Sequence, residues 1–198
     1  MTAELLDKVT STPEEQRFVL PGLHSWQQFE AIEAAIAELP GVRITYFDGW
    51  VELMTIGENH EMIKSLIALL LGLYFLEKQI EFIPVGSATR REEAKEVSFE
   101  PDESYYIGNK KEHPDLAVEV VITSGGKGKL EKYKRFSIAE VWFWEQNRIF
   151  VYSLRGGEYE LSDRSELLPD LDLALLTRCV LMPSKLEAMT EFLRELRQ

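Results

Sequence analysis

Glu119, Asp102 and Lys129 are the residues of this 198-residue chain whose types and spacing could do chemistry. Glu119 sits in the middle of the apolar run 116–122, within "PDLAVEVVITSGGKGKLEKY" (114–133). Such a run reads as a buried strand, where an unpaired carboxylate is costly even after the protein relaxes. Alternation puts Glu119 on the face of Ala117 and Val121, opposed to Val118 and Val120. Asp102 follows Pro101 in "EVSFEPDESYYIG" (96–108). If these two strands are neighbours, about 5 Å apart, carboxylates opposite or diagonal to each other converge. Converging carboxylates repel unless a cation sits between them or one keeps its proton. Magnesium accepts one or two carboxylates, keeps several waters and bridges to phosphate. Asp102 and Glu119 are therefore candidate metal ligands, with Mg2+ or Mn2+ as the candidate cofactor.

Lys129 lies just after a glycine turn, at the start of a helix that must fold back over the sheet. Beside a phosphate, a lysine there would orient water and stabilise developing negative charge. Glycines 125, 126 and 128 allow a tight turn and close approach to a ligand. "GGKGK" is not a P-loop, because the four-residue gap and the following Ser or Thr are missing. A plainer reading stays open: Lys129 only neutralises Glu119, and Asp102 only shapes a turn. Asp115 rivals Asp102 but looks like a strand entry. Glu61 and His60 begin a helix, where an acid also favours the helix dipole.

These residues need elements to hold them. Ser25 caps a first helix, "SWQQFEAIEAAIAELPG", that ends at Pro40-Gly41. Asp48-Gly49 centres a hairpin in "VRITYFDGWVELMTIG". "ENHEMIKSLIALLLGLYFLEKQ" is the longest helix, and "IEFIPVGSATRR" is a strand and turn. "EVSFEPDESYYIG" is one strand broken by Pro101, antiparallel to "DLAVEVVIT". "KLEKYKRFSI" is a helix. "EVWFWEQ" and "RIFVYSLRGGEYELSD" are strands with turns at Gln146-Asn147 and Gly156-Gly157. The aromatics Trp142, Phe143 and Trp144 read as core. "MPSKLEAMTEFLREL" is a last helix capped by Ser184. The expectation is an N-terminal arm over 1–20 and a single α/β domain over 21–198 with a mixed sheet.

Composition sets the surroundings. A net charge of -12 argues against coating nucleic acid by bulk electrostatics. "KGKLEKYKR" (127–135) still carries five basic residues against one acid, with smaller pairs at Arg90-Arg91 and Lys110-Lys111; such patches usually read as solvated faces. The run 66–76 is short of the roughly 20 residues that cross a bilayer, and the acidic, polar start is no secretory signal. Cys179 is the only cysteine, so no internal disulfide or cysteine zinc site is expected. A cytoplasmic protein that does not engage a membrane is the expectation.

In "GENHEMIKSLIALLL", "FEPDESYY", "PDLAVEVVITSGGKGKLEKY" and "KRFSIAEVWFWEQNRIFVYSL", from about residue 25 to residue 180, the sequence resembles the Uma-two family of endonucleases. That family lies in the restriction-endonuclease-like, PD-(D/E)XK superfamily. The resemblance implies a core of a helix, three strands, a helix and a strand, around a central mixed sheet flanked by helices. It implies metal-dependent phosphodiester hydrolysis, with DNA as substrate and a homodimer as a possible assembly. Its helix acid falls on Glu61, its Pro-Asp aspartate on Asp102 and its Glu-X-Lys glutamate on Glu119. Val120 and Val121 follow Glu119, so the motif lysine is displaced; in this family it looks moved to the next helix, on Lys129, with Tyr133 one turn later. The leading expectation is a magnesium-dependent DNA endonuclease in which Glu119→Ala abolishes cleavage without unfolding the chain. The rivals are a catalytically inactive nucleic-acid-binding or oligomerisation module on the same fold, and a small-molecule phosphohydrolase. Fold alone does not choose among them.

Overall fold

The computed structural model describes residues 16–122 and 126–198, with backbone only at 126 and 127. In chain order the elements are β1 (Gln16–Val19), α1 (Trp26–Ile36), β2 (Val42–Phe47), β3 (Trp50–Thr55), α2 (Glu58–Glu77), β4 (Phe82–Pro84), β5 (Arg90–Glu92), β6 (Val97–Phe99) and β7 (Glu103–Ile107). There follow β8 (Leu116–Val121), α3 (Leu130–Lys134), β9 (Glu140–Glu145), β10 (Arg148–Arg155), β11 (Glu158–Ser162), α4 (Leu173–Leu181) and α5 (Lys185–Leu196). Of the expected N-terminal arm, residues 1–15 lie outside the described residues, and the next four form β1.

The chain divides into two compact units. One takes the described residues up to Met62 together with Thr89–Glu100. Its sheet runs β1-β3-β2-β6-β5, with every pair antiparallel. Ser25 caps α1 as expected: its Oγ accepts from Gln28 N at 3.3 Å, while Gln28 Oε1 accepts from Ser25 N at 2.8 Å. This reciprocal pair satisfies two otherwise orphaned donors. The β2–β3 turn places Asp48 at φ 46° and Gly49 at φ 85°, the left-handed pair that a two-residue hairpin turn requires. Phe29 of α1 packs on Tyr46 and Val51 to form this unit's small core.

The other unit holds Ile63–Ala88 and Pro101–Gln198. Its six-stranded sheet runs β11-β10-β9-β8-β7-β4. Only β8 and β9 are parallel, so the sheet is mixed, and α3 is the crossover helix between them. All six residues of β8 are buried, as the unbroken apolar run predicts. Trp142, Phe143 and Trp144 are at most 2% exposed and belong to the interior. The element order α2, β4, β7, β8, α3, β9 supplies the expected helix, three strands, helix and strand.

Three expectations change. A second sheet exists, built on β1, β2 and β3, and the segment around Pro101 is split between the two sheets as β6 and β7. Proline has no N–H to donate and cannot carry a ladder through. Helix α4 was not anticipated; Asp172 caps it, accepting from Ala174 N at 2.8 Å and Leu175 N at 3.0 Å. The helix expected from Lys129 to Ile138 is shorter: a 3-10 turn over Gly126–Lys129 leads into a five-residue α3.

Helix α2 has the length and apolarity a membrane span would need, and within this unit it gives Leu66, Ile67, Leu70, Leu71, Tyr74 and Phe75 to the core. Gly72 lies in its interior, and a Cβ built there meets nothing within 4 Å. Glycine in a helix interior costs up to about 1 kcal/mol relative to alanine. Gly72→Ala is therefore expected to raise the urea midpoint by an amount worth about 0.5–1 kcal/mol; an unchanged or lower midpoint would mean that this face of α2 is covered.

Candidate active site

The antiparallel register pairs Glu103 with Val118 and Ser104 with Ala117. Extending it by one residue sets Asp102 directly across from Glu119. Asp102 Oδ2 accepts a hydrogen bond from Val120 N at 2.8 Å, a buried contact that fixes the aspartate against the neighbouring strand. Asp102 and Glu119 are each only 2% exposed.

Glu119 is paired on both oxygens. Lys129 Nζ donates to Oε2 and forms an ion pair with the carboxylate, and Tyr133 O–H donates to Oε1. Lys129 is the N-cap residue of α3, and Tyr133 follows four positions later. Residues so spaced share one helix face, so a single turn delivers both donors to one carboxylate. Burial pushes the Tyr133 phenol well above its ordinary range, and the charge of Glu119, its hydrogen bond, and the charges of Asp102 and Tyr159 all push the same way. The hydroxyl keeps its proton and donates a hydrogen bond to Glu119.

The structure thus brings together Asp102, Glu119 and Lys129. Glu61 belongs to the other unit, in the first turn of α2, where its carboxylate lies 4.0 Å from the Arg43 guanidinium. His60 is buried beside it in sequence. Asp115 is taken up elsewhere: Oδ2 accepts from Ile107 N at 2.8 Å and Oδ1 from Lys111 Nζ at 2.6 Å, which ties the β7–β8 connection. Gly125 lies outside the described residues.

The basic segment 127–135 is not the solvated face that its composition suggests. Lys129 and Lys132 are buried. Lys134 pairs with Glu158 and Glu131. In the other unit Arg91 bonds Glu30 and Glu33 and lies 4.9 Å from the centroid of the Trp26 ring.

The sequence marked Tyr133 without its role and did not mark Glu140. Tyr133 was placed only as the residue one turn after Lys129; the spacing of four was the available signal. Glu140, 1% exposed, is a second strand carboxylate. Trp142 Nε1 donates to it at 2.9 Å, Ser165 Oγ at 2.7 Å, Leu167 N at 3.1 Å, Ser153 Oγ at 3.5 Å, and Glu166 N as well. All five donors are neutral. Glu140 latches the segment after β11 to the start of β9. Its sequence signal was an acid at the head of an apolar run, whereas Glu119 sits in the middle of one.

A mixed sheet with helices around it, with Asp102 just before β7, Glu119 on β8 and Lys129 at the start of α3, makes a restriction-endonuclease-like fold. A family model described as "Uma2: Putative restriction endonuclease" matches residues 26–181. The chain belongs to that family. A search of curated proteins finds no match.

Proposed function

We propose that this chain is a divalent-cation-dependent endonuclease that hydrolyses phosphodiester bonds of DNA. The observation that carries the proposal is the convergence, within one unit, of Asp102, Glu119 and Lys129 on adjoining elements. Family membership supports nuclease chemistry at the level of the family.

The donors fit a hard cation. Carboxylate oxygens are the ligands magnesium and manganese prefer, and a two-carboxylate site completed by water and phosphate is ordinary for magnesium. Each Glu119 oxygen accepts one hydrogen bond and has a further lone pair to offer. Among the described residues no group of three or more His, Cys, Asp or Glu side chains forms a metal cage, so Asp102 and Glu119 would hold the ion between them. A cation bound there supplies a water of lowered pKa and offsets phosphate charge. The chain's own residues do the rest. Val120 N orients Asp102. Lys129 holds a positive charge beside the carboxylates, where it would stabilise the negative charge that develops on a reacting phosphate.

One observation favours the inactive module instead: Lys129 already neutralises Glu119, so the pair is complete without a cation. Calorimetric titration with Mg2+ and Mn2+, followed by incubation with double-stranded DNA, single-stranded DNA and RNA, separates the two. The endonuclease reading expects cation binding, and DNA cleavage that EDTA abolishes. A chain that binds neither cation and cuts no polynucleotide is the module.

A further inference from the structure

We infer that Tyr133 is a positioning residue for Glu119, and that its hydroxyl, rather than its ring, sets the orientation in which this carboxylate meets a divalent cation. The inference rests on the cation-dependent reading given above.

A glutamate's terminal torsion is broad and roughly two-fold. One hydrogen bond leaves the carboxylate free to turn about that contact, whereas two donors on different oxygens fix its plane. Lys129 holds Oε2 and Tyr133 holds Oε1. The two donors differ in kind. Lysine cancels the charge that a cation would need to find; a neutral hydroxyl restrains the oxygen and leaves the charge in place. The tyrosine is 0% exposed, and Glu119 is 2% exposed. At a position buried that completely a phenylalanine ring would bury no hydroxyl, but it would leave Glu119 Oε1 without this donor, so the bond accounts for the hydroxyl's place here. Delivery from the same helical turn as Lys129 makes the restraint a rigid one. Partners that orient metal-binding side chains are typically worth about 10–100-fold in metal affinity or activity.

The test titrates Mn2+ by calorimetry into the full chain, Tyr133→Phe and Glu119→Ala. Thermal unfolding without added cation and steady-state cleavage of DNA accompany it. Tyr133→Phe should unfold within a few degrees of the parent. Its Mn2+ dissociation constant should rise about 10–100-fold, and kcat should fall while KM for DNA stays unchanged. A purely structural hydroxyl would lower thermal stability without that affinity change. A variant with 4-aminophenylalanine at position 133, which keeps a donor on the same ring, should recover most of the Mn2+ affinity, and it carries the test if Tyr133→Phe does not fold. Parental Mn2+ affinity in Tyr133→Phe, alongside lost binding in Glu119→Ala, overturns the inference and leaves the cation reading standing. Lost binding in a folded 4-aminophenylalanine variant does the same. A parent chain that binds no Mn2+ overturns both.

Discussion

Glu119→Gln is expected to abolish cation binding and DNA cleavage in a chain that still folds, whereas Glu119→Ala should lose the same functions and much of its stability. The difference comes from Lys129. Lys129 is 9% exposed and its ammonium is paired with Glu119. Removing one partner of a buried ion pair costs about 3–5 kcal/mol, because the other charge is left uncompensated. Alanine also strands the Tyr133 hydroxyl. This corrects the simpler expectation that the alanine variant loses activity alone. Glutamine keeps the shape: its Oε1 can accept from Lys129, and its amide can donate to the Tyr133 oxygen, since a hydroxyl accepts as well as donates. The lysine still lacks a counter-charge, so some stability is lost. Adding Lys129→Met removes that charge too, although it also takes the donor away from the glutamine oxygen. The double variant should therefore regain part of the urea midpoint lost in Glu119→Gln and remain inactive. DNA cleavage surviving in Glu119→Gln would remove Glu119 from the reaction.

Glu140→Ala, away from the candidate site, should be strongly destabilising, at about 3–5 kcal/mol. Five donors converge on this carboxylate, and those from Trp142 and Ser165 come from residues with no exposure. Each buried donor left unmet costs about 1–3 kcal/mol. Partial recovery through water and local relaxation keeps the sum below the full total. For a chain of this size about 2–4 °C of Tm goes with each kcal/mol, so the midpoint should drop on the order of 10 °C. Glu140→Gln should fall between, since its amide brings two hydrogens of its own towards a ring of donors. Both variants should keep parental Mn2+ affinity when folded. A Tm within 2 °C of the parent's for Glu140→Ala, on the same scale, would show that the latch contributes little.

What could be read from the sequence was local. The Ser25 cap, the hairpin turn at Asp48-Gly49 and the turn at Gln146-Asn147 are set by neighbours within a few residues, and each is where its residues put it. The run around Glu119 announced a buried strand because it is short, rich in β-branched valine, and flanked by Pro114 and a glycine turn. Pairing across sheets was not legible. Pro101 marks a break, but only tertiary packing decides that the strand after it joins a different sheet. Helix α4 was hidden because its cap, Asp172, lies in a segment rich in Leu, Asp and Pro that also suits a loop. The register that faces Asp102 towards Glu119 was an explicit condition of the sequence argument, and it is met. Glu140 shows the limit of that argument. Two buried strand carboxylates take opposite solutions, one answered by a lysine and the other by neutral dipoles. Their donors lie 10 and 14 residues away in one case, and 2, 13 and 25 to 27 in the other.

That difference in separation also orders events in time. The partners of Glu119 sit on the next turn of chain, 10 and 14 residues on. The far donors of Glu140 follow β9, β10 and β11 in the chain, so the latch is expected to close after that meander. Contacts made after the folding barrier leave the folding rate nearly untouched and act on the rate of escape. If the whole of about 4 kcal/mol falls on that step, the native lifetime of Glu140→Ala shortens by roughly a thousandfold. Glu140 is in this sense a timer: it has little say in how quickly the chain reaches its fold, and a large say in how long a protease must wait for it to open.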